Sequence, residues 1–297
     1  MRRREPPASL YERLQVAALP TFLRVARRLP RRCGVGLVVA AAIGQAMLDP
    51  LRLSRAIRWV SAHRVGVRQR ASSLVLLLVN RGRFLAWATG IGEADPGTLQ
   101  ETVTIEGRAL LDEAAAGSGV LVVTLHLGPG STARALRECG YAVVVGGEGF
   151  RFVAPDPPVA WDTLPPVVRV PWRDTDSRAT GLYELARYLR RGSVVVLPAD
   201  APDKGRVEFS LRLSGRQLDV RSGWFTLRRL TKAPTLLVLH AWSARGRVVT
   251  VHPPLPPPMA NVESDRVVCH AYLFDAVQRF VVAHPEQCVS LAWLPGN

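Results

Sequence analysis

Gly119-Val-Leu-Val-Val-Thr-Leu125 is a largely β-branched apolar run that leads directly into His126-Leu-Gly-Pro-Gly-Ser131. A run of this length without polar alternation is typical of a strand covered on both faces, as in a parallel sheet. In such sheets, ligands bind beyond the carboxyl ends of the strands. His126 stands at that position, beside Gly128 and Gly130, which let a substrate approach the backbone. A histidine placed there is a candidate general base.

Further apolar runs follow along the chain, and helix-like stretches separate them. Strands are predicted at residues 141–145, 193–197, 234–239 and 247–251. Helices are predicted at residues 132–139 and 178–191, each followed by a glycine that can end it. This alternation predicts an α/β fold in residues 101–297, with a mostly parallel central sheet flanked by helices.

Basic residues are concentrated at the N-terminal end of the chain. The net charge of the 297 residues is +15, and the first 70 residues carry +12 of it, from 15 arginines and three acidic residues. Arginines interleaved with apolar residues at helical spacing suit helices that lie on an anionic membrane surface. We therefore predict a basic, helical, membrane-associated region over residues 1–100. An apolar run at 74–79, flanked by arginines, is predicted to belong to that contact.

The uncharged stretch at 33–48 is shorter than the roughly 20 residues that a spanning helix needs. Its length favours a buried or an interfacial helix, with spanning as the minority interpretation, and we expect a peripheral or monotopic association. Nucleic acid is the rival polyanion. It is disfavoured because no interleaved exposed aromatic residues and no nucleic-acid motif are recognisable, and because the rest of the chain has no basic excess.

Several other classes of protein are also excluded or disfavoured. An apolar fraction of 48% excludes a disordered chain. The four cysteines occur singly, and His240, His252 and His270 have no acidic partner at metal-ligand spacing, so no metal site is predicted. Neither the dinucleotide fingerprint nor a phosphate-cradling glycine loop is present, so no cofactor is predicted either.

Several motifs occur in a definite order around His126. They are Val103-Thr-Ile-Glu-Gly107, Ala116-Gly-Ser-Gly119, Leu189-Arg-Arg-Gly192, Asp200, Gly205, Leu213-Ser-Gly-Arg216, Arg221-Ser-Gly223, Ala233-Pro234 and Ala283-His-Pro-Glu-Gln287. In this order they resemble the bacterial lipid A lauroyl/myristoyl acyltransferases of the lysophospholipid acyltransferase superfamily. The resemblance covers essentially the whole chain, and the basic region lies where that family carries its membrane-associated helices.

The resemblance implies an acyl transfer at the cytoplasmic face of the inner membrane. His126 would take the proton of a hydroxyl on a lipid or glycolipid acceptor, and that oxygen would attack the thioester of an acyl carrier protein or acyl-coenzyme A donor. Asp200 matches an aspartate of the family, and capping its own turn is an equally good role for it. The candidate substrate contacts are Gly128, Gly130, Glu148, Lys204, Arg206 and Arg216.

The sequence departs from the family at one position that matters for catalysis. Ser131 stands where the resemblance implies an aspartate or glutamate that orients the histidine. A serine hydroxyl can hold one imidazole tautomer, but it carries no charge to stabilise an imidazolium. Three interpretations are open at this point. Another acid, Glu148 or Asp200, replaces it; the enzyme is slow; or the chain is an inactive homologue that binds lipid or a partner protein.

Overall fold

The structure is a computed structural model that describes residues 21–88 (except 23 and 27), 102–128 (except 118), 132–146, 167–170, 175–200, 206–243 and 246–293. Its N-terminal part includes the helices α1 (Arg31–Leu48), α2 (Pro50–His63) and α3 (Val67–Ala88). The Asp49 carboxylate caps α2 by accepting the backbone N–H of Arg52 at 3.0 Å, and Pro50 occupies the first helical position. This pair of residues favours a new helix start, so α1 and α2 are separate helices.

Strands and helices alternate in the rest of the chain. The elements in order are β1 (Thr102–Glu106), α4 (Arg108–Ala115), β2 (Val120–Thr124), α5 (Thr132–Glu138), β3 (Val143–Gly146), β4 (Val167–Val170), α6 (Thr175–Arg190), β5 (Val194–Pro198), β6 (Val207–Leu213), β7 (Arg216–Arg221), α7 (Gly223–Thr231), β8 (Thr235–Ser243), β9 (Gly246–Val251), α8 (Val262–Ala283), a 3-10 turn (Pro285–Gln287) and α9 (Val289–Trp293). The strands and helices predicted from the apolar runs are all present.

Seven of the described strands form one sheet in the order β1-β9-β8-β2-β5-β3-β4. Neighbouring strands are parallel throughout, apart from the antiparallel β8–β9 pair. Strands β6 and β7 form a separate antiparallel hairpin. The prediction of an α/β fold with a mostly parallel sheet is confirmed.

Strand β2 lies in the middle of the sheet and is buried along its whole length. Leu121 and Val123 pack into the hydrophobic cluster on one face, while Val120 and Val122 pack into the cluster on the other. The sequence of this strand is therefore continuously apolar, because neither of its faces is exposed to solvent.

The N-terminal helices share the larger of these two clusters with the sheet. Trp59 and Val60 of α2 and Leu77 of α3 are buried in it. Helix α1 packs on α3, where a Cβ added to Gly82 would lie 2.5 Å from the Cα of Val39. Residues 89–101, which include the boundary predicted near residue 100, lie outside the described residues.

The apolar run at 74–79 divides between core and surface. Leu77 and Leu78 are buried, whereas Val75 and Leu76 are exposed.

No single helix among the described residues combines the length and apolar composition needed to cross a membrane. The segments Cys33–Leu48 and Pro50–His63 meet that requirement jointly, but the pair is bent by 99°.

Candidate active site

The register of the sheet brings two polar residues together beyond the carboxyl ends of β2 and β5. These strands are parallel neighbours, paired from Val120 with Val194 to Thr124 with Pro198. Continued for two residues past the strands, the same register sets His126 beside Asp200. The conformation of the central sheet therefore places a histidine and a carboxylate side by side, although 74 positions separate them in the chain.

The Asp200 carboxylate holds His126 by two hydrogen bonds. The backbone N–H of His126 donates to Oδ2 at 2.8 Å, and the ring nitrogen Nδ1 lies 2.7 Å from Oδ1. An ionised carboxylate can only accept, so Nδ1 carries the proton and the basic lone pair lies on Nε2. The Asp200 side chain is 3% exposed and that of His126 is 22% exposed. This is the arrangement of a general base with an orienting acid.

Two opposing effects set the pKa of His126. Burial lowers it, because a charged imidazolium loses hydration. The negative charge of Asp200 and its hydrogen bond to the ring act in the opposite direction, and they leave the pKa raised above the ordinary value of 6.5. The imidazolium that forms when His126 accepts a proton is thus stabilised by the carboxylate.

Gly128 allows the loop after β2 to pass close to β8. Its φ is +76°, and an added Cβ would lie 2.0 Å from the carbonyl oxygen of His240. Only glycine meets both conditions, since a side chain would be strained in that conformation and would also collide with the backbone. The glycine predicted to admit a substrate thus has a structural reason to be there as well.

The closing motif near the C-terminus holds this loop in place. The backbone N–H of Gly128 donates to the carbonyl oxygen of Gln287 at 3.0 Å, and the Ser290 hydroxyl donates to the carbonyl oxygen of His126 at 2.7 Å. The Gln287 side chain accepts from the backbone N–H of Trp242 at 2.6 Å and donates to the carbonyl oxygen of the same residue at 2.7 Å. Gln287 therefore joins the histidine loop to β8.

The same motif also attaches the N-terminal helices. The indole Nε1–H of Trp59 donates to the carbonyl oxygen of Pro285 at 2.9 Å, and the side-chain amide of Asn80 donates to that of Glu286 at 3.0 Å. Arg64 forms an ion pair with the Glu286 carboxylate at 3.2 Å. Helices α2 and α3 are consequently held at a definite position beside His126.

A cleft of about 350 Å³ opens between these helices and the histidine loop. Its lining combines His126 and Gly128 with cationic and apolar side chains: Arg52, Arg55, Arg81, Phe84, Leu85, Val289, Ser290 and Trp293. The guanidinium of Arg81 lies 4.6 Å from the ring centre of Trp293. A volume of this size is in the usual range for small-molecule sites.

The structure accounts for part of the predicted set of site residues. His126, Gly128 and Asp200 come together, whereas Arg206 is exposed and does not line the cleft. Arg216 is buried, and the charge of the cleft residue Arg55 influences its pKa. Ser131 lies outside the described residues, as do three predicted substrate contacts, Gly130, Glu148 and Lys204. Within the described part of the chain, no cluster of histidine, cysteine and acidic side chains is able to hold a metal ion.

Sequence reasoning missed the arginines of α2 as site residues. Arg52 and Arg55 belong to the predicted membrane-associated region with the other N-terminal arginines, but both line the cleft. A signal for them exists in the sequence, because Arg52, Arg55 and Arg58 recur every three residues and share one face of α2. Ser290 and Trp293 carry no such signal, since only the fold brings the end of the chain to His126.

Of the comparisons with known proteins, only the one with solved structures finds a similarity. No family model and no curated protein sequence matches the chain. Among solved structures, the chain is similar to the crystal structure of the 1-acyl-sn-glycerophosphate (LPA) acyltransferase PlsC from Thermotoga maritima. Sequence identity is 16% and the TM-score is 0.38, over 82% of this chain and 95% of that chain.

Proposed function

We propose that the protein is an acyltransferase that moves a fatty acyl chain from a thioester to a hydroxyl group of a lipid or glycolipid acceptor. The observation that carries the proposal is the pairing of His126 with the buried carboxylate of Asp200 at the edge of the cleft. The sequence motifs that resemble lipid A acyltransferases support the same reaction, and Asp200 supplies the acid that is missing at Ser131.

In this reaction Nε2 of His126 takes the proton of the acceptor hydroxyl while the oxygen attacks the carbonyl carbon of the thioester. Asp200 keeps the proton of the ring on Nδ1 and stabilises the imidazolium that forms. When the tetrahedral intermediate collapses, the carbon–sulfur bond breaks and the thiolate receives the proton from Nε2. The products are an O-acyl ester and a free thiol, and His126 returns to its starting state.

The test is product formation by the full-length protein. Acyl-coenzyme A and acyl-loaded acyl carrier protein serve as donors, and a panel of lysophospholipids and glycolipids serves as acceptors. The release of the thiol and the formation of the ester are both measured. His126→Ala should abolish both products, whereas His252→Asn, which changes a histidine outside the cleft, should leave them intact. If no donor and acceptor pair gives a product that depends on His126, the acyltransferase proposal fails, and the inactive lipid-binding homologue becomes the better account.

We further propose that the N-terminal helices hold the protein on the cytoplasmic face of the inner membrane. Apolar side chains are exposed around the bend between α1 and α2, where Met47, Leu48 and Leu51 are 60%, 75% and 70% exposed. The arginine excess of the first 70 residues adds attraction to anionic lipid. Exposed apolar groups next to cationic ones are typical of interfacial helices.

Vesicle co-sedimentation tests this part of the proposal. The full chain should bind vesicles with anionic lipid more tightly than neutral ones, and Leu48→Glu should weaken that binding. Val267→Glu is the matched control, because Val267 is also exposed, at 61%, but lies on α8. Equal binding of both variants would refute a role for this bend, and stronger salt-sensitive binding to DNA or RNA would favour the nucleic-acid alternative.

A further inference from the structure

The C-terminal end of α2 and the tip of the β6–β7 hairpin meet through one pair of side chains. The hydroxyl oxygen of Ser214 lies 2.7 Å from Nε2 of His63, although 151 positions separate the two residues in the chain. Ser214 lies in the exposed turn of the hairpin, whereas His63 is half-buried at the last position of α2. Neither residue lines the cleft at His126. The acyl transfer at His126 therefore makes no use of this serine and histidine.

The second ring nitrogen of His63 decides which of the two side chains donates. Nδ1 lies 2.7 Å from the carbonyl oxygen of Trp59, one turn earlier in α2. A carbonyl oxygen can only accept, so Nδ1 carries the proton and Nε2 has the basic lone pair. The Ser214 hydroxyl therefore donates to Nε2. A hydroxyl that donates to a histidine, which is itself oriented by a third group, is the arrangement of an activated serine nucleophile.

The imidazole of His63 is held in place by Trp59. The two ring centres are 4.4 Å apart, and Trp59 is only 2% exposed. Burial lowers the pKa of His63 below the ordinary value of 6.5, the hydrogen bond to the Trp59 carbonyl opposes this effect, and the charge of Arg64 adds to it. His63 is therefore neutral at neutral pH, which is the state in which it can accept a proton.

The hairpin turn also supplies a hydrogen-bond donor beside the hydroxyl. Leu213 pairs with Arg216 in the ladder of the hairpin, so the backbone N–H of Gly215 lies outside that ladder. Ser214 itself has a positive φ of 48°. In α/β-hydrolases the nucleophilic serine likewise lies on a strained turn, and the N–H of the residue after it binds the oxyanion of the intermediate. The turn thus combines a nucleophile with a donor for an oxyanion.

We propose that Ser214 and His63 form a second reactive site, at which the Ser214 hydroxyl is acylated by carboxylic esters that reach it from solution. Its oxygen attacks the carbonyl carbon of the ester while Nε2 of His63 takes the hydroxyl proton. The bond between this carbon and the alcohol oxygen then breaks, and the alcohol leaves with the proton from Nε2. This activity goes beyond the acyl transfer at His126 and does not rest on it.

Hydrolysis of the acyl-serine completes the cycle. A water molecule gives a proton to Nε2 of His63 and attacks the acyl carbon. The bond to the serine oxygen breaks, and Ser214 recovers its proton from Nε2. The products are a carboxylic acid and an alcohol. Because Ser214 is exposed, water can reach the acyl group.

Labelling of the full-length protein with a fluorophosphonate tests the proposal. The reagent forms a phosphorus–oxygen bond with an activated serine and releases fluoride, and mass spectrometry of the peptides measures the rate at each serine. His63→Gln is the decisive variant, because the amide oxygen of glutamine can accept the Ser214 hydroxyl but is too weak a base to take its proton. Ser72 is the internal control, since it is also exposed but its hydroxyl donates to the carbonyl oxygen of Gln69 at 3.1 Å.

We expect Ser214 to be labelled about a hundredfold faster than Ser72, because a positioned general base contributes at least about that factor. His63→Gln should lower the rate at Ser214 by a similar factor, and thermal unfolding shows whether this variant is folded. If Ser214 is labelled no faster than Ser72, or equally fast in folded His63→Gln protein, the reactive site is refuted. The hydrogen bond is then only a structural contact between the hairpin and α2.

The pH dependence of labelling gives a second measurement on the unaltered protein. The rate at Ser214 should fall as the pH drops through the pKa of His63, which lies below 6.5. This measurement decides alone if His63→Gln does not fold. A rate at Ser214 that has the same pH dependence as the rate at Ser72 would then overturn the proposal.

Failure of this proposal can be distinguished from failure of the acyl transfer. His126→Ala should leave the labelling of Ser214 unchanged, and Ser214→Ala should leave ester formation in the acyltransferase assay intact. In His126→Ala protein, hydrolysis of p-nitrophenyl acetate, followed by the release of p-nitrophenolate, should still depend on Ser214. Loss of the labelling of Ser214 in folded His126→Ala protein would contradict two separate sites.

Discussion

Asp200→Asn is the substitution that tests the candidate site most directly. It preserves the size of the side chain and removes its charge. The amide oxygen of asparagine can still accept the backbone N–H of His126, as Oδ2 of the carboxylate does at 2.8 Å. The amide NH₂ then faces Nδ1, where Oδ1 now lies at 2.7 Å. An NH₂ group donates, so Nδ1 has to accept and the ring proton moves to Nε2.

The change of tautomer removes the basic lone pair from Nε2. The loss of the carboxylate removes the negative charge that stabilises the imidazolium. The corresponding substitution in a serine protease triad lowers turnover about ten-thousandfold for the same reason. We expect Asp200→Asn to lower kcat by about a thousandfold to ten-thousandfold, with a smaller effect on KM. The pKa of His126 should also fall, because the carboxylate that raises it has gone while burial remains. The acid limb of any residual activity should therefore move to lower pH.

Initial rates of thiol release, measured against pH with a thioester donor and a hydroxyl acceptor, give both quantities. Asp275→Asn is the control, because this carboxylate is 61% exposed and pairs with Arg279 on α8. A kcat within tenfold of the wild-type value, with an unchanged pH profile, would show that Asp200 does not orient the base. In that case an acid from the segments outside the described residues would have to be sought.

The same variant has a consequence for stability. A histidine whose pKa is raised by folding contributes stability that is fully present below its unfolded pKa of about 6.5 and is lost as pH rises through the folded value. The difference in melting temperature between the wild type and Asp200→Asn should accordingly be larger at about pH 6 than at about pH 9. A constant difference would contradict the coupling between the two side chains.

Two further substitutions test how the histidine loop is held. Gly128→Ala should destabilise the protein by about 2 kcal/mol or more, because the added Cβ would lie 2.0 Å from a carbonyl oxygen of β8. Gly44→Ala on α1 is the control. A Cβ added there has no atom within 4 Å, so this substitution should be neutral or should stabilise the protein by up to about 1 kcal/mol. Urea unfolding measures both, and equal effects would refute the steric argument. Gln287→Ala should cost about 2–4 kcal/mol, because it leaves the backbone N–H and carbonyl oxygen of Trp242 without partners. Gln278→Ala on α8 is its control, and equal unfolding midpoints for the two variants would contradict a role for the Gln287 side chain in joining the histidine loop to β8.

The N-terminal arginines show where reading by composition alone is insufficient. Charge and periodicity identify a basic helical region, but they do not distinguish an arginine on the exposed surface from one that faces the cleft. Arg81 flanks an apolar run that suggests membrane contact, yet it is buried and stacks on Trp293 from the end of the chain. Which face of a helix is covered depends on partners that are distant in sequence.

The hairpin β6–β7 is a second element that sequence reasoning did not identify as strands. Its turn, Ser214-Gly215, has positive φ at both residues, 48° and 74°, and alternating apolar residues flank it. Such a turn between alternating runs is a recognised hairpin signal. Apart from the resemblance of this motif to the acyltransferases, the backbone conformation of the turn explains why a small residue is followed there by glycine.

Local sequence is sufficient to predict the central strands, the helices that separate them and the position of His126 at the end of a strand. An apolar run that is covered on both faces, and the point where such a run ends, can be recognised from the residues themselves. The partner of His126 was not visible in this way, and Glu148 and Asp200 were equal candidates for it. Glu148 lies outside the described residues, whereas strand order brings Asp200 to the histidine, since β5 lies directly beside β2 and their register, continued past the strands, sets Asp200 beside His126. Pairing between strands depends on the packing of the whole sheet, and that packing places a carboxylate 74 residues away within 2.7 Å of the ring.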